Sequence, residues 1–157
     1  MKRNSGNRLP KLVSLESALQ KESGLRASVK KNMDAIQAAD RDMILDSERQ
    51  KIVDAIDLDA ATAQEYPRSH RWDYIICASS ALIGIEPHPA QDDQLRDIVE
   101  KRRHAKMVLD NELVDGVKVS RWIWVTRGRV KFSQMEKARR FLAQNGIEFA
   151  GRLIRSL

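Results

Sequence analysis

Two short segments, RWDYIIC at 71–77 and ALIGIEPH at 81–88, constrain this chain more than any other part of it. They are rich in β-branched and aromatic residues and lack helical spacing, so they read as the two strands of a hairpin. A two-residue turn at Ser79 and Ser80 sets Ile75 opposite Gly84, Cys77 opposite Leu82 and Arg71 opposite His88. The same register sets Asp73 opposite Glu86. Ser-Ser is not the preferred pair for such a turn, which favours Asn-Gly and other Gly-containing pairs. A longer loop that slid the pairing by two residues would still leave both acids on one face, because side chains alternate with period two. Two carboxylates side by side on an apolar sheet face repel each other. A fold carries them when a cation lies between, most often a divalent metal.

A chain of 157 residues is long enough for a domain with a substantial core. No apolar run is long enough to span a membrane. The start, MKRNSGNRLPK, is basic but lacks the apolar stretch of a signal peptide. Cys77, the single cysteine, lies inside an expected buried strand and reads as core filler. Together these features predict a cytoplasmic protein without a membrane partner. The net charge of +6 is unevenly spread: an acidic stretch from 32 to 70 separates a basic start from a basic second half. That balance suits a polyanionic partner such as nucleic acid, and equally an ordinary soluble surface rich in Lys and Arg.

Along the chain, residues 1–10 read as disordered. A short helix is expected from Ser14 to Gly24, a second from Leu25 into the region of Met43, using Leu25, Val29, Met33 and Ile36. Ser47 to Gln50 has capping-box spacing ahead of Ile52, Val53 and Ile56, which predicts a third helix. After the hairpin, residues 91–110 carry Leu95, Ile98, Val99, Ala105 and Leu109 on one helical face. SRWIWVTRG at 120–128 reads as a strand, Ser133 as the cap of a last helix ended by Asn145-Gly146, and EFAGRLIRSL as a final short strand. The fold expected is α/β: a small mixed sheet containing an antiparallel hairpin, flanked by helices, with a basic tail and helical extension over 1–45 and the α/β domain over 46–157.

This order, with Asp73 in WDYII and Glu86 and His88 in IEPH, resembles the PD-(D/E)XK nuclease superfamily over about residues 45–145. The resemblance implies a restriction-endonuclease-like fold and metal-dependent hydrolysis of phosphodiester bonds in DNA or RNA. It implies that Asp73 and Glu86 bind Mg²⁺ or Mn²⁺, that the Pro87 carbonyl contacts the ion, and that His88 stands where the family usually has a lysine that orients or activates water. An acid on the preceding helix sometimes completes such a site, and Glu48 is the candidate here. The chemistry is consistent: phosphodiester hydrolysis needs charge neutralised at phosphorus, which hard oxygen ligands around Mg²⁺ provide. Two residues depart from the pattern. His88 is not a permanent cation, although it is a base near neutral pH. Pro87 cannot donate to a sheet ladder, so it ends the strand or sits on a bulge.

On the 91–110 helix, Arg102 and Lys106 share the apolar stripe with Leu95, Val99 and Leu109, and with Arg103 they are candidate phosphate contacts, as are Arg127 and Arg129 in the TRGR segment. The competing reading of these side chains is a solvated helix face and loop. Trp122 and Trp124 share a strand face, where core packing is expected ahead of base stacking. Two functional classes stay open: a nuclease, and a catalytically decayed member of the same fold acting as a nucleic-acid-binding, antitoxin-like or assembly subunit. A third, weaker reading makes the apolar N-terminal helices a docking arm for another protein or a second copy.

Overall fold

The structure, a computed structural model, describes residues 11–157. The expectation for residues 1–10 falls outside that range. A six-stranded mixed sheet runs in the order β1-β2-β3-β4-β5-β6. Its strands are β1 (Lys30–Lys31), β2 (Ile52–Asp57), β3 (Tyr74–Ala78), β4 (Ala81–Pro87), β5 (Val119–Val125) and β6 (Glu148–Phe149). The first four form an antiparallel meander, whereas β5 lies parallel to β4 and β6 parallel to β5. Each parallel pair is joined through a helix, α5 (Leu95–Glu112) and α6 (Met135–Gln144), because a parallel connection must carry the chain back along the sheet. Four short helical segments, α1 (Leu15–Ala18), α2 (Ala38–Arg41), α3 (Asp46–Arg49) and α4 (Leu58–Thr62), complete the set with two 3₁₀ turns, Gly24–Ser28 and Asp92–Gln94.

The hairpin has the expected register: Ile75 pairs with Gly84 and Cys77 with Leu82. Ser79 and Ser80 form its turn with φ of 51° and 59°, both in the left-handed region. Two positive φ values in succession are what a type I′ turn requires, and this turn matches the twist of the flanking strands. Alternation then divides the hairpin between two cores. Ile75, Cys77 and Leu82 join Trp72, Trp122, Trp124, Ile98 and Leu142 on the face covered by α5 and α6. Tyr74, Ile76, Ile83 and Ile85 join Ile123, Val125, Ile36, Ile44 and Ile154 on the other. Gly84 lies under Trp122, and a Cβ there would come within 2.6 Å of the indole and 3.0 Å of Trp72 Nε1. The missing side chain is what lets the two tryptophans meet edge to face, 5.0 Å between centroids.

The N-terminal third departs from the three expected helices. The first stops at Ala18, because Leu19 is already extended. The second is not formed: Leu25 belongs to one core and Ile36 and Met43 to the other. A continuous helix would have put these side chains on one stripe, but they serve opposite faces of the sheet, so the chain passes around its edge through β1. The third is a central strand. Ile52–Asp57 pairs with β1 on one side and β3 on the other, and its β-branched residues suit a pleated, buried position. The Ser47–Gln50 spacing sits in the single turn of α3, whose N-cap residue is Leu45. Asp54, buried at 5 % exposure, ties this region together by accepting the N–H groups of Leu15 at 2.7 Å and Glu16 at 3.0 Å. Leu15, Leu19, Leu25, Ile36, Met43 and Ile44 are all buried in the chain's own cores, so the expected docking stripe is internal.

Later elements follow expectation more closely. The helix expected at 91–110 starts with the 3₁₀ turn and continues to Glu112. Ser133 does not cap the last helix; its N–H donates instead to Asp92, and Gln134 holds the cap position. Gly146, at φ 72°, ends that helix. No helix among the described residues is long and apolar enough to cross a membrane.

The strained turn yields a test. Each left-handed non-glycine residue costs about 1 kcal/mol, so Ser79→Asn with Ser80→Gly is expected to stabilise the fold by about 1 kcal/mol. Urea denaturation measures it: the midpoint should rise with the slope unchanged, and a lowered midpoint would contradict this account of the hairpin.

Candidate active site

Register extended by one step past β3 brings Asp73 beside Glu86, the last inward-facing residue of β4. The Asp73 backbone is pinned on both sides. Its N–H donates to Glu86 Oε2 at 2.8 Å, and its carbonyl accepts from Leu58 at the start of α4 at 2.7 Å. Glu86 is wholly buried, whereas the Asp73 side chain is 28 % exposed, so the pair has one inner and one outer member.

The cation between them comes from α5. Lys101 Nζ donates directly to Glu86 Oε1 and stands 4.0 Å from Asp73 Oδ1. Sequence reading missed this residue, although the signal was present. Ile98, Ala105 and Val108 are buried, and Lys101 lies three residues after the first and four before the second, within the same helical stripe. Arg102 shares that stripe and packs inward on Trp122, whereas Lys106 is exposed.

Burial pushes the Glu86 carboxyl up to about 8, with the Asp73 charge adding to the rise, and Lys101 and the Asp73 N–H pulling it back. Asp73 is raised to about 6, again chiefly by burial and against Lys101. The two donors aimed at Glu86, an ammonium and an amide N–H, are those of an ionised carboxylate. The site therefore holds its second negative charge only through those donors.

His88 flanks the same carboxylate. Its Nδ1 lies 3.6 Å from Glu86 Oε1, and its Nε2 is hydrogen-bonded to Gln94 Oε1. Burial, then Lys101, lower its pKa against the opposing hydrogen bond, which favours neutral imidazole. With Nε2–H donated to Gln94, Nδ1 is left as a lone pair facing Glu86. Arg71 does not pair with His88; it reaches Asp59 and the Tyr66 carbonyl. Pro87 ends β4, opposite Val125.

The other sequence candidates lie in three places. Glu48 is at the far end of the sheet. It pairs with Lys51 at 2.6 Å, close to Ile52, which is opposite Ala78 at the Ser79–Ser80 end of the hairpin. The length of β3 separates it from Asp73, so it does not join this site. Arg102 turns inward, its guanidinium 5.5 Å from the Trp122 ring centroid. Arg103 and Lys106 are exposed and engaged with Glu100 and Asp110. Arg127 and Arg129, by contrast, line a cleft that also includes His88. Trp122 and Trp124 are buried, as core packing predicts.

A divalent ion can be weighed against this donor set. Among the described residues no group of three or more His, Cys, Asp or Glu side chains is arranged to hold a metal. Mg²⁺, however, keeps several waters and is commonly held by one or two carboxylates together with substrate phosphate. Asp73, part-exposed, is the carboxylate open to such an ion, whereas Glu86 is wholly buried with Oε2 taken by the Asp73 amide and Oε1 by Lys101, so an ion shared by both would displace the lysine from Glu86.

No protein-family model matches the chain, and no curated protein or solved structure matches it.

The raised carboxyl gives a signed pH prediction. Glu86 holds its proton more tightly folded than unfolded, from an ordinary 4.5 to about 8. Its contribution to stability is therefore full below about pH 4.5 and is lost as pH rises towards 8. His88 and His104 are shifted downward from 6.5, so their contributions change below that value. Between pH 6.5 and 8, wild-type stability in EDTA is expected to fall, and the Glu86→Gln profile to be flatter. Urea midpoints across that range test it; a wild-type profile that rises with pH would contradict it.

Proposed function

We propose that this protein is a divergent restriction-endonuclease-like nuclease that hydrolyses phosphodiester bonds in DNA or RNA, using Mg²⁺ or Mn²⁺ held by Asp73 and Glu86 with the Pro87 carbonyl beside them. The observation that carries the reading is the approach of one ammonium, Lys101, to both carboxylates at the end of an antiparallel hairpin. It is supported by the sheet order, in which a meander is followed by a helix and a parallel strand. The lysine that position 88 lacks is supplied by α5.

The bound ion would neutralise negative charge that builds on the phosphoryl oxygens. The chain's own groups do the rest. His88, held at Nε2 by Gln94, accepts a proton at Nδ1 from the attacking water. The new P–O bond forms as the bond to the leaving strand breaks, and the leaving oxygen takes a proton from solvent. Lys101 also offsets phosphate charge once the carboxylates are engaged elsewhere. Complete burial of Glu86, with its oxygens held by the Asp73 amide and Lys101, fixes its geometry before substrate arrives.

One observation favours the second reading. Lys101 already neutralises Glu86 internally, and a carboxylate satisfied by lysine needs no ion. That arrangement suits a decayed nucleic-acid-binding or assembly subunit.

Calorimetric titration with Mg²⁺ and Mn²⁺, wild type beside Asp73→Ala, separates the two. The nuclease reading expects binding that strengthens as pH rises, because the ion displaces protons, and that is lost in Asp73→Ala. Cleavage assays on single- and double-stranded DNA and RNA should show activity that Lys101→Ala reduces by about 10²-fold or more with metal binding retained. Wild-type protein that binds metal yet cleaves none of the four substrates would establish the second reading.

A further inference from the structure

A cleft of about 320 Å³ opens beyond the ends of β4 and β5, lined by His88, Gln91, Thr126, Arg127, Arg129 and Lys131 among others. Its walls are fixed by backbone bonds. His88 N–H donates to the Val125 carbonyl at 3.0 Å, Lys131 N–H to Ala90 at 2.8 Å, and Thr126 N–H to Gly151 at 2.9 Å. The Trp124 indole donates to the His88 carbonyl at 3.0 Å. The position follows from topology: open sheets bind ligands outside the carboxyl ends of parallel strands, where no strand continues to fill the space.

Its charge is cationic and only partly spent. Arg127 is committed to Asp40 at 3.0 Å. Arg129 and Lys131 are exposed, and neither makes an ion pair among the described residues. A second, independent feature lies among the residues that line it. Thr126 lines the cleft, is 0 % exposed, and has a buried hydroxyl without a hydrogen-bond partner. An unsatisfied buried hydroxyl is costly, and an acceptor oxygen relieves it.

We propose that this cleft is a subsite for one backbone phosphate of a nucleic-acid strand, bound by Arg129 and Lys131 with Thr126 at its wall. The identity of the strand rests on the nuclease reading; the cleft does not. His88 joins the two places, lining the cleft while its Nδ1 lies 3.6 Å from Glu86. A phosphate held here sets the neighbouring linkage beside Asp73, Glu86 and Lys101, which makes the cleft a positioning device for the strand.

The test is binding of a fluorescently labelled single-stranded DNA oligonucleotide and its RNA counterpart to the full chain in EDTA, by anisotropy at moderate salt. Arg129→Ala with Lys131→Ala is expected to weaken binding of at least one of them by about tenfold and to lower the salt dependence. Thr126→Val should weaken it by about threefold without lowering thermal stability. Arg103→Ala with Lys106→Ala, on the solvent face of α5, should change it little. Equal losses from the two double substitutions, or no loss from the cleft pair, would overturn the subsite. Inorganic phosphate serves as the competing probe: binding of phosphate without binding of either oligonucleotide would also overturn it. Because no metal is present, the outcome is separate from catalysis. Cleft-dependent binding without cleavage sinks only the nuclease reading, and cleavage indifferent to Arg129 and Lys131 sinks only the subsite.

Discussion

A carboxylate wholly buried at the end of a central strand dictates much of what surrounds it. Removing an ion such as Glu86 from water costs several kcal/mol even after relaxation, unless donors replace the lost solvent. Here the replacements are Lys101 and the Asp73 amide, from two different elements. Each sets a structural condition. The helix α5 must cross the sheet so that a residue two turns in reaches the end of β4. The chain before β3 must run straight past the end of β4, which requires the hairpin register that the Ser79–Ser80 turn enforces. Loss of either condition leaves a buried charge unpaired, so the site and the fold are coupled at this point.

Topology explains why functional groups collect at one end of the molecule. The meander brings the start of β3 and the end of β4 together, and the two helical crossovers leave the carboxyl ends of β4 and β5 side by side. Asp73, Glu86, His88 and the basic loop after β5 all lie there. The opposite end is closed by structural contacts: Glu48 pairs with Lys51, and Ser79 reaches the Leu157 carbonyl. An acid at that end serves packing, however well its place in sequence suits a ligand.

What the sequence revealed followed the range of the interaction concerned. The hairpin, its register and the shared face of Asp73 and Glu86 were legible because a two-residue turn and period-two alternation are local rules. The helix over 95–112 and the strand over 119–125 were legible from long, consistent patterns. Ile52–Asp57 was not, since a short apolar run after a Ser-x-x-Gln stretch has the same appearance as a helix start. Leu25 and Ile36 misled for a different reason. Helical spacing assigned them one face, but a chain that wraps a sheet edge distributes its apolar residues to both. Lys101 lay between: its place in the buried stripe was readable, but its partners are set by a crossing angle that no local rule supplies.

The two oxygens of Glu86 divide the work of the site. Oε2 takes the Asp73 amide, a bond between backbone and side chain that holds the strand entry in place. Oε1 faces both Lys101 and His88. A permanent cation and a neutral base thus meet at one oxygen, from a helix and from a strand end respectively. Position 88 is poorly suited to carry the cation itself. Its backbone is held by Val125 and the Trp124 indole, and its ring is held by Gln94. A long flexible side chain there would forgo the Gln94 bond and approach Glu86 from the side that Lys101 already neutralises. Delivering the charge from α5 leaves the strand end free to present a lone pair, and the basic cleft begins at that same residue. On this geometry His88 links the carboxylate pair to the cleft proposed to hold a phosphate.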